Sequence, residues 1–153
     1  MKEFTATGLV FNENGNILMV KNKRQGKWLP PGGHINENEL PCEAVAREVL
    51  EETGITVEVL SSVKKLDLSD ETTKTARELP LPLRIICVEF EGFNLIDSLY
   101  LCRAINVDTV PQEAEIDGIG WFSPKDAIKL DTYENVIKSI ESALEIVNRI
   151  GII

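Results

Sequence analysis

Two long amphipathic helical periods, set among short apolar runs of strand character, predict an α/β (α+β) fold with a mixed sheet layered against helices. The first helical period lies at 39–53, where Cys42, Val45, Ala46, Val49, Leu50 and Thr53 recur every three or four residues. The second lies near the end of the chain, in Val136, Ile137, Ile140, Ala143, Leu144, Val147 and Ile150. The 153 residues, 43% hydrophobic and 27% charged, fit one globular domain spanning 1–153.

Residues 4–11 read as a strand, and 17–20 as its return across Asn12-Glu13-Asn14-Gly15-Asn16. Asn-Gly between apolar runs is a strong hairpin signal. Residues 21–27 are polar and basic and read as a loop, followed by Pro30-Pro31-Gly32-Gly33, a rigid and then permissive backbone. Asn38 is a candidate N-cap for the first helix, with Pro41 in its first turn and Gly54 placed for a left-handed C-cap. Strands are expected at 55–63, 83–90, 97–105 and 118–122, a long polar loop at 64–79, and a helical turn at 126–130. The closing stripe reads as a helix packed on the sheet.

The net charge is −9, from 25 acids against 16 bases. Such a chain is poorly suited to gripping a nucleic-acid polymer by counterion release. It also repels free polyphosphate, so an anionic substrate calls for a bound hard cation. No apolar run approaches the ~20 residues of a membrane span, and the N-terminus lacks the apolar core of a signal peptide. Cys42, Cys87 and Cys102 are too few and scattered for a disulfide framework or a zinc knuckle. They read as buried, reduced thiols of a cytoplasmic protein.

The chemistry concentrates in Arg47-Glu48-Val49-Leu50-Glu51-Glu52-Thr53-Gly54. Glu48, Glu51 and Glu52 share one helix face, where like charges repel by roughly 0.2–0.5 kcal/mol per pair. They also sit at the negative end of the helix dipole. On spacing alone, two readings stand: a solvated acidic face, or a face occupied by a divalent cation.

The wider pattern runs from Gly33 over five residues to Glu39, then over seven to Arg47-Glu48-Val49-x-Glu51-Glu52-x-Gly54-Ile55. It resembles the Nudix box of the Nudix hydrolase superfamily, of MutT-like type, at every specified position of a 23-residue motif covering about a seventh of the chain. The resemblance implies an α/β/α sandwich around a mixed sheet, and hydrolysis of a nucleoside diphosphate linked to another group with Mg2+ or Mn2+. It implies Glu48, Glu51 and Glu52 as metal ligands, joined by the Gly33 carbonyl, and Arg47 as the arginine that orients a carboxylate. Glu39 would bridge to Arg47 or support a metal indirectly. The general base is a box glutamate or a late one: Glu115 matches that late position and Glu113 competes with it.

Around the box, Arg24, Lys27, Trp28 and His34 are candidate substrate contacts, each weighed against an ordinary solvated or packing role. Lys74 and Arg77 lie in the long polar loop. Asp70 and Glu71 stand where an ADP-ribose enzyme carries proline, and Thr72 and Thr73 where a diadenosine-polyphosphate enzyme carries tyrosine. With no NADH or coenzyme A signature either, elimination leaves a (d)NTP pyrophosphatase releasing the monophosphate and pyrophosphate. An oxidised nucleotide is one candidate, and nucleotide sugars and dinucleotides are others. A nucleotide sensor without turnover is the rival from another class. An isoprenoid isomerase would need a cysteine that Cys42, on the apolar side of the helix, does not supply. The partner is thus a small nucleoside diphosphate derivative, with no nucleic-acid polymer and no membrane. A homodimer is left open.

Overall fold

The computed structural model describes residues 1–72 and 74–150, and for Ile150 the backbone only. Thr73, within the long loop, and residues 151–153 lie outside it. The elements run β1 (Lys2–Phe11), β2 (Ile17–Asn22), β3 (Trp28–Leu29), β4 (Gly32–His34), α1 (Pro41–Thr53), β5 (Val57–Leu60), β6 (Arg84–Phe90), β7 (Phe93–Ala104), β8 (Ile116–Phe122), α2 (Pro124–Ala127) and α3 (Glu134–Ile150). The mixed sheet has α1 on one face and α3 on the other, the expected α/β/α layering.

The sheet hangs on β1. It pairs in parallel with β7 over ten positions, Lys2↔Asn94 to Phe11↔Arg103. Its other side meets β2 at one position, Phe11↔Ile17, and then β4, through Thr5↔His34, Ala6↔Gly33 and Thr7↔Gly32. β2 thus diverges from β1 and pairs with β3 and β8. β6 and β5 share the far side of β7.

The period-two alternation of strands sorts side chains between two cores. Leu9, Phe11, Ile17, Met19, Leu99 and Leu101 turn to one side and pack with Val136, Ile140, Ala143 and Val147 of α3. Ala6, Val10, Leu18, Tyr100 and Cys102 turn to the other and pack with Ala44, Val45 and Val49 of α1. Val45 and Val49 are fully buried, which contributes about 1.5–3 kcal/mol each.

Several local expectations are corrected. Residue 40, not 38, caps α1: Pro41 fixes the first helical φ, and Asn38 instead adopts φ 65° in the approach. Glu43 Oε2 accepts from the Leu40 N–H at 3.1 Å in place of a side-chain cap. Two unanticipated short strands, β3 and β4, flank Pro30-Pro31 and find partners in β2 and β1. β2 continues to Asn22, into the segment expected to be loop, and β7 starts at Phe93, four residues early. The late helical turn is Pro124–Ala127, capped by Ser123 Oγ accepting from the Asp126 N–H. Of the cysteines, Cys102 is buried and its thiol pushed up to about 12, Cys42 is half-buried, and Cys87 is exposed on β6, against the expectation of buried thiols; all three are free. Between Leu60 and Arg84 the described residues form no helix or strand. No helix among the described residues is long and apolar enough to cross a membrane.

Candidate functional site

α1 presents its acids at the rim formed by β4. Gly54 ends the helix in the left-handed conformation, φ 73°, and its N–H bonds the Leu50 carbonyl at 2.9 Å. The close approach of β4 to the helix depends on glycine. A Cβ on Gly33 would lie 2.4 Å from the Glu48 carboxyl carbon, so Glu48 rests directly on the Gly33 backbone.

Arg47 organises the cluster. Its Nε and Nη2 donate to the two oxygens of Glu39 at 2.7 and 2.9 Å, a bidentate pair. Nη1 donates to Glu48 Oε1 at 2.9 Å and to Glu51 Oε2 at 3.1 Å, and Nη2 also reaches the His34 carbonyl at 2.9 Å. One guanidinium therefore ties the approach loop, β4 and two acids of the helix. The Arg47 bond holds the Glu39 carboxyl below its ordinary range.

Glu52 is the buried member, only 6% exposed. Its Oε2 accepts from the Gly32 N–H at 3.2 Å. Burial first, then the charges of Glu48, Glu115 and Glu51, push its carboxyl up to about 8, and the Gly32 bond only partly opposes them. Glu115 comes from the other end of the chain. The 110–115 loop docks on the end of α1, through Val110 N–H to Thr53 O at 2.8 Å and Gln112 N–H to Glu52 O at 3.0 Å.

Among the described residues, no three acidic, histidine or cysteine side chains form a closed ligand set. The reason is visible: Arg47 stands between Glu48 and Glu51, and Glu52 is drawn to Gly32. The chemistry of the donors nevertheless fits a hard divalent cation. Glu48, Glu51, Glu52 and Glu115 are oxygen donors, and one of them is a buried carboxyl destabilised by the other three.

The remaining candidates are placed as follows. Lys27 is bound to Asp131 at 2.6 Å and lies 5.9 Å from the centre of the Tyr133 ring. Trp28 packs edge-on against Phe122, ring centres 5.3 Å apart. His34 Nε2 pairs with Glu3 at 2.9 Å, on an exposed side chain. Arg24 is exposed on the turn between β2 and β3. None of the four is held against the acids. Lys23, unremarked in the sequence, does join the site's outer loop: its N–H donates to Glu115 O at 2.9 Å, and its Nζ donates to the carbonyl of Glu113. A basic residue in a basic stretch carried no signal that set it apart.

Comparison with known proteins agrees with this arrangement. The NUDIX domain model matches residues 1–142. A "MutT-like protein" from Streptomyces ambofaciens is 46% identical over 55 residues, 36% of each chain. An RNA pyrophosphohydrolase from Haemophilus influenzae (strain PittEE) is 27% identical over 146 residues, 89% of this chain and 72% of that one. The chain thus spans about a third of the Streptomyces protein and most of the Haemophilus one. The crystal structure of a NUDIX-family hydrolase from Clostridium perfringens superposes with a TM-score of 0.76 at 27% identity, covering 92% of this chain and 95% of that one. With the NUDIX domain model matched over residues 1–142 and the α/β/α frame superposing on a NUDIX-family hydrolase, the chain belongs to the NUDIX family of MutT-like hydrolases.

Proposed function

We propose that this chain is a metal-dependent pyrophosphohydrolase of nucleoside diphosphate derivatives, with nucleoside triphosphates as the preferred class and the monophosphate and pyrophosphate as products. The observation that carries the reading is the buried Glu52 carboxyl, facing Glu48, Glu51 and Glu115 beside the glycine rim of β4. Glu48, Glu51 and Glu52, with the Gly33 carbonyl, would hold Mg2+ or Mn2+. When bound, that ion neutralises the substrate's charge and raises the acidity of water.

The chain's own residues do the rest. Arg47 keeps Glu48 and Glu51 oriented, and Glu39 keeps Arg47 in place. The glycine at 33 lets the Glu48 carboxyl rest against the β4 backbone, and the one at 32 lets β4 lie close along β1. Water adds to phosphorus as the anhydride P–O bond breaks, and Glu115, on its exposed loop, accepts the proton that water loses. Positioning and charge dominate such chemistry, so no covalent intermediate with the protein is called for.

The test is product release with Mg2+ and with Mn2+ across nucleoside triphosphates, dinucleotides, nucleotide sugars and ADP-ribose. Inorganic phosphate is read with and without added pyrophosphatase, and Glu52→Gln and Glu115→Gln run alongside. Triphosphate turnover that yields phosphate only after pyrophosphatase, and collapses in Glu52→Gln, is expected. Nucleotide binding with no turnover on any class would overturn the hydrolase reading and leave a sensor module.

A further inference from the structure

Asp97 lies in the middle of β7, between Thr5 of β1 and Ile86 of β6. Its side shares the face of Leu99 and Leu101, which build the core under α3. On β1 the same face carries Thr5 and Thr7, then Leu9 and Phe11. An acid and two threonines thus form a polar patch at the end of a sheet face that is apolar from Leu9 and Leu99 onward. Burial raises its carboxyl above the ordinary range, and the two threonines partly offset that.

The hydrogen bonding is one-sided. Thr5 Oγ1 donates to Asp97 Oδ1 at 2.8 Å, and Thr7 Oγ1 donates to the same oxygen at 2.9 Å. Among the described residues no hydrogen bond reaches Oδ2, and the one sealed side-chain atom without a partner is Thr132 Oγ1. Oδ2 therefore has no partner among the described residues and is not fully sealed. An acid serving only the fold gains most by satisfying both oxygens. Here two fixed donors lock the carboxylate and leave one oxygen free to accept.

The position connects to the acids of α1. The rung Asp97–Thr5–His34 lies beside the rung Ser98–Ala6–Gly33, and Gly33 carries Glu48. Two strand spacings, ~9.6 Å, separate the β7 and β4 backbones. Among the described residues β4 pairs as a strand with β1 only, and its other side is met by Glu52 at the Gly32 N–H and by Arg47 at the His34 carbonyl. Asp97 and the acids of α1 stand on opposite faces, so a nucleotide with its phosphates at the glutamates passes round this edge to bring its base to the face of Asp97.

We propose that Asp97, clamped by Thr5 and Thr7, is a specificity residue that accepts a hydrogen bond from the exocyclic amino group of the substrate's nucleobase. An ionised carboxylate only accepts, so the ligand must bring the donor. This rests on the pyrophosphohydrolase reading, which places the phosphates at the other end.

Matched pairs differing at that amino group test it: GTP against ITP, CTP against UTP, and ATP against purine-riboside triphosphate. kcat and KM are measured for the wild type, Asp97→Asn and Asp97→Leu. Calorimetry of the corresponding monophosphates without metal, GMP against IMP among them, gives binding apart from turnover. The wild type is expected to favour the amino-bearing member of at least one pair by on the order of tenfold in kcat/KM. In both variants that ratio falls toward one, chiefly through KM. Thr5→Val with Thr7→Val, which frees the carboxylate without removing it, narrows the ratio partway and serves where Asp97→Leu does not fold. No preference in the wild type, or an equal loss for both members of every pair alongside a lowered unfolding midpoint, would overturn the assignment. Asp97-dependent discrimination among monophosphates without any turnover would sustain it while refuting the hydrolase. Turnover with a ratio indifferent to Asp97 would do the reverse.

Discussion

Replacing Glu52 by glutamine in the metal-free protein is expected to make the fold more stable, and increasingly so as pH rises. The folded carboxyl is pushed from its ordinary 4.5 up to about 8 by burial and by Glu48, Glu115 and Glu51. A group whose pKa is raised on folding contributes fully below its unfolded value. That contribution is lost as pH climbs through the folded one. The wild type therefore declines relative to the variant between about pH 4.5 and pH 8. At pH 7 the difference integrates to roughly 3 kcal/mol, and above pH 8 it approaches roughly 5 kcal/mol. For a domain of this length 3 kcal/mol corresponds to roughly 6–12 °C in Tm. Glutamine keeps an oxygen for the Gly32 N–H, so the geometry is preserved. The assay is denaturant unfolding of both proteins in chelator from pH 5 to pH 9, repeated with excess Mg2+. The wild type should fall away from the variant as pH rises and recover with Mg2+. Parallel curves across the whole range would refute the electrostatic account of Glu52.

Three further outcomes follow from the geometry. Arg47→Lys removes the fork that holds Glu39, Glu48 and Glu51, and should weaken Mn2+ binding by about 10–100-fold in a paramagnetic titration; an unchanged Kd would count against the clamp. Gly32→Ala would put a Cβ 2.6 Å from the Ala6 carbonyl oxygen and 2.8 Å from Thr7 Cα, both backbone, and should cost about 1–3 kcal/mol in denaturant unfolding. Trp28→Ala removes the ring packed on Phe122 and should cost about 3–5 kcal/mol of stability with Mn2+ affinity intact; a stable variant that loses only nucleotide affinity would make Trp28 a stacking platform instead.

Much of this was legible where the physics is local. The spacing of Val45, Val49 and their neighbours marked α1 and its buried face, and Gly54 marked its end. Asn-Gly marked the first hairpin, in which Asn12 Oδ1 accepts from the N–H groups of Asn14 and Asn16 at 3.0 Å. The bridge from Glu39 to Arg47, eight residues on, was one of two roles the resemblance offered for Glu39, and the bidentate pair is present. What stayed hidden depends on distant partners. β4 is three residues rich in glycine, a strand only because β1 lies alongside. Lys27 looked free for phosphate because Asp131 stands 104 residues away. Asp97 carried no signal as the first residue of the strand expected at 97–105, because Thr5 and Thr7, which donate to it, lie about ninety residues earlier.

The parallel pairing of β1 with β7 sets an order on assembly. The hairpin and α1 are local and can form early, but each register position between β1 and β7 joins residues 92 apart in the chain. Such long-range pairing is slow, because the loop must close before any contact rewards it. At synthesis rates of roughly 5–20 residues per second, the nascent chain waits several seconds with Leu9, Val10 and Phe11 lacking a neighbour on that side. The box helix is therefore complete in sequence well before the sheet beneath it is closed. The acid cluster gains its outer loop only after β7, when residues 110–115 settle on the end of α1.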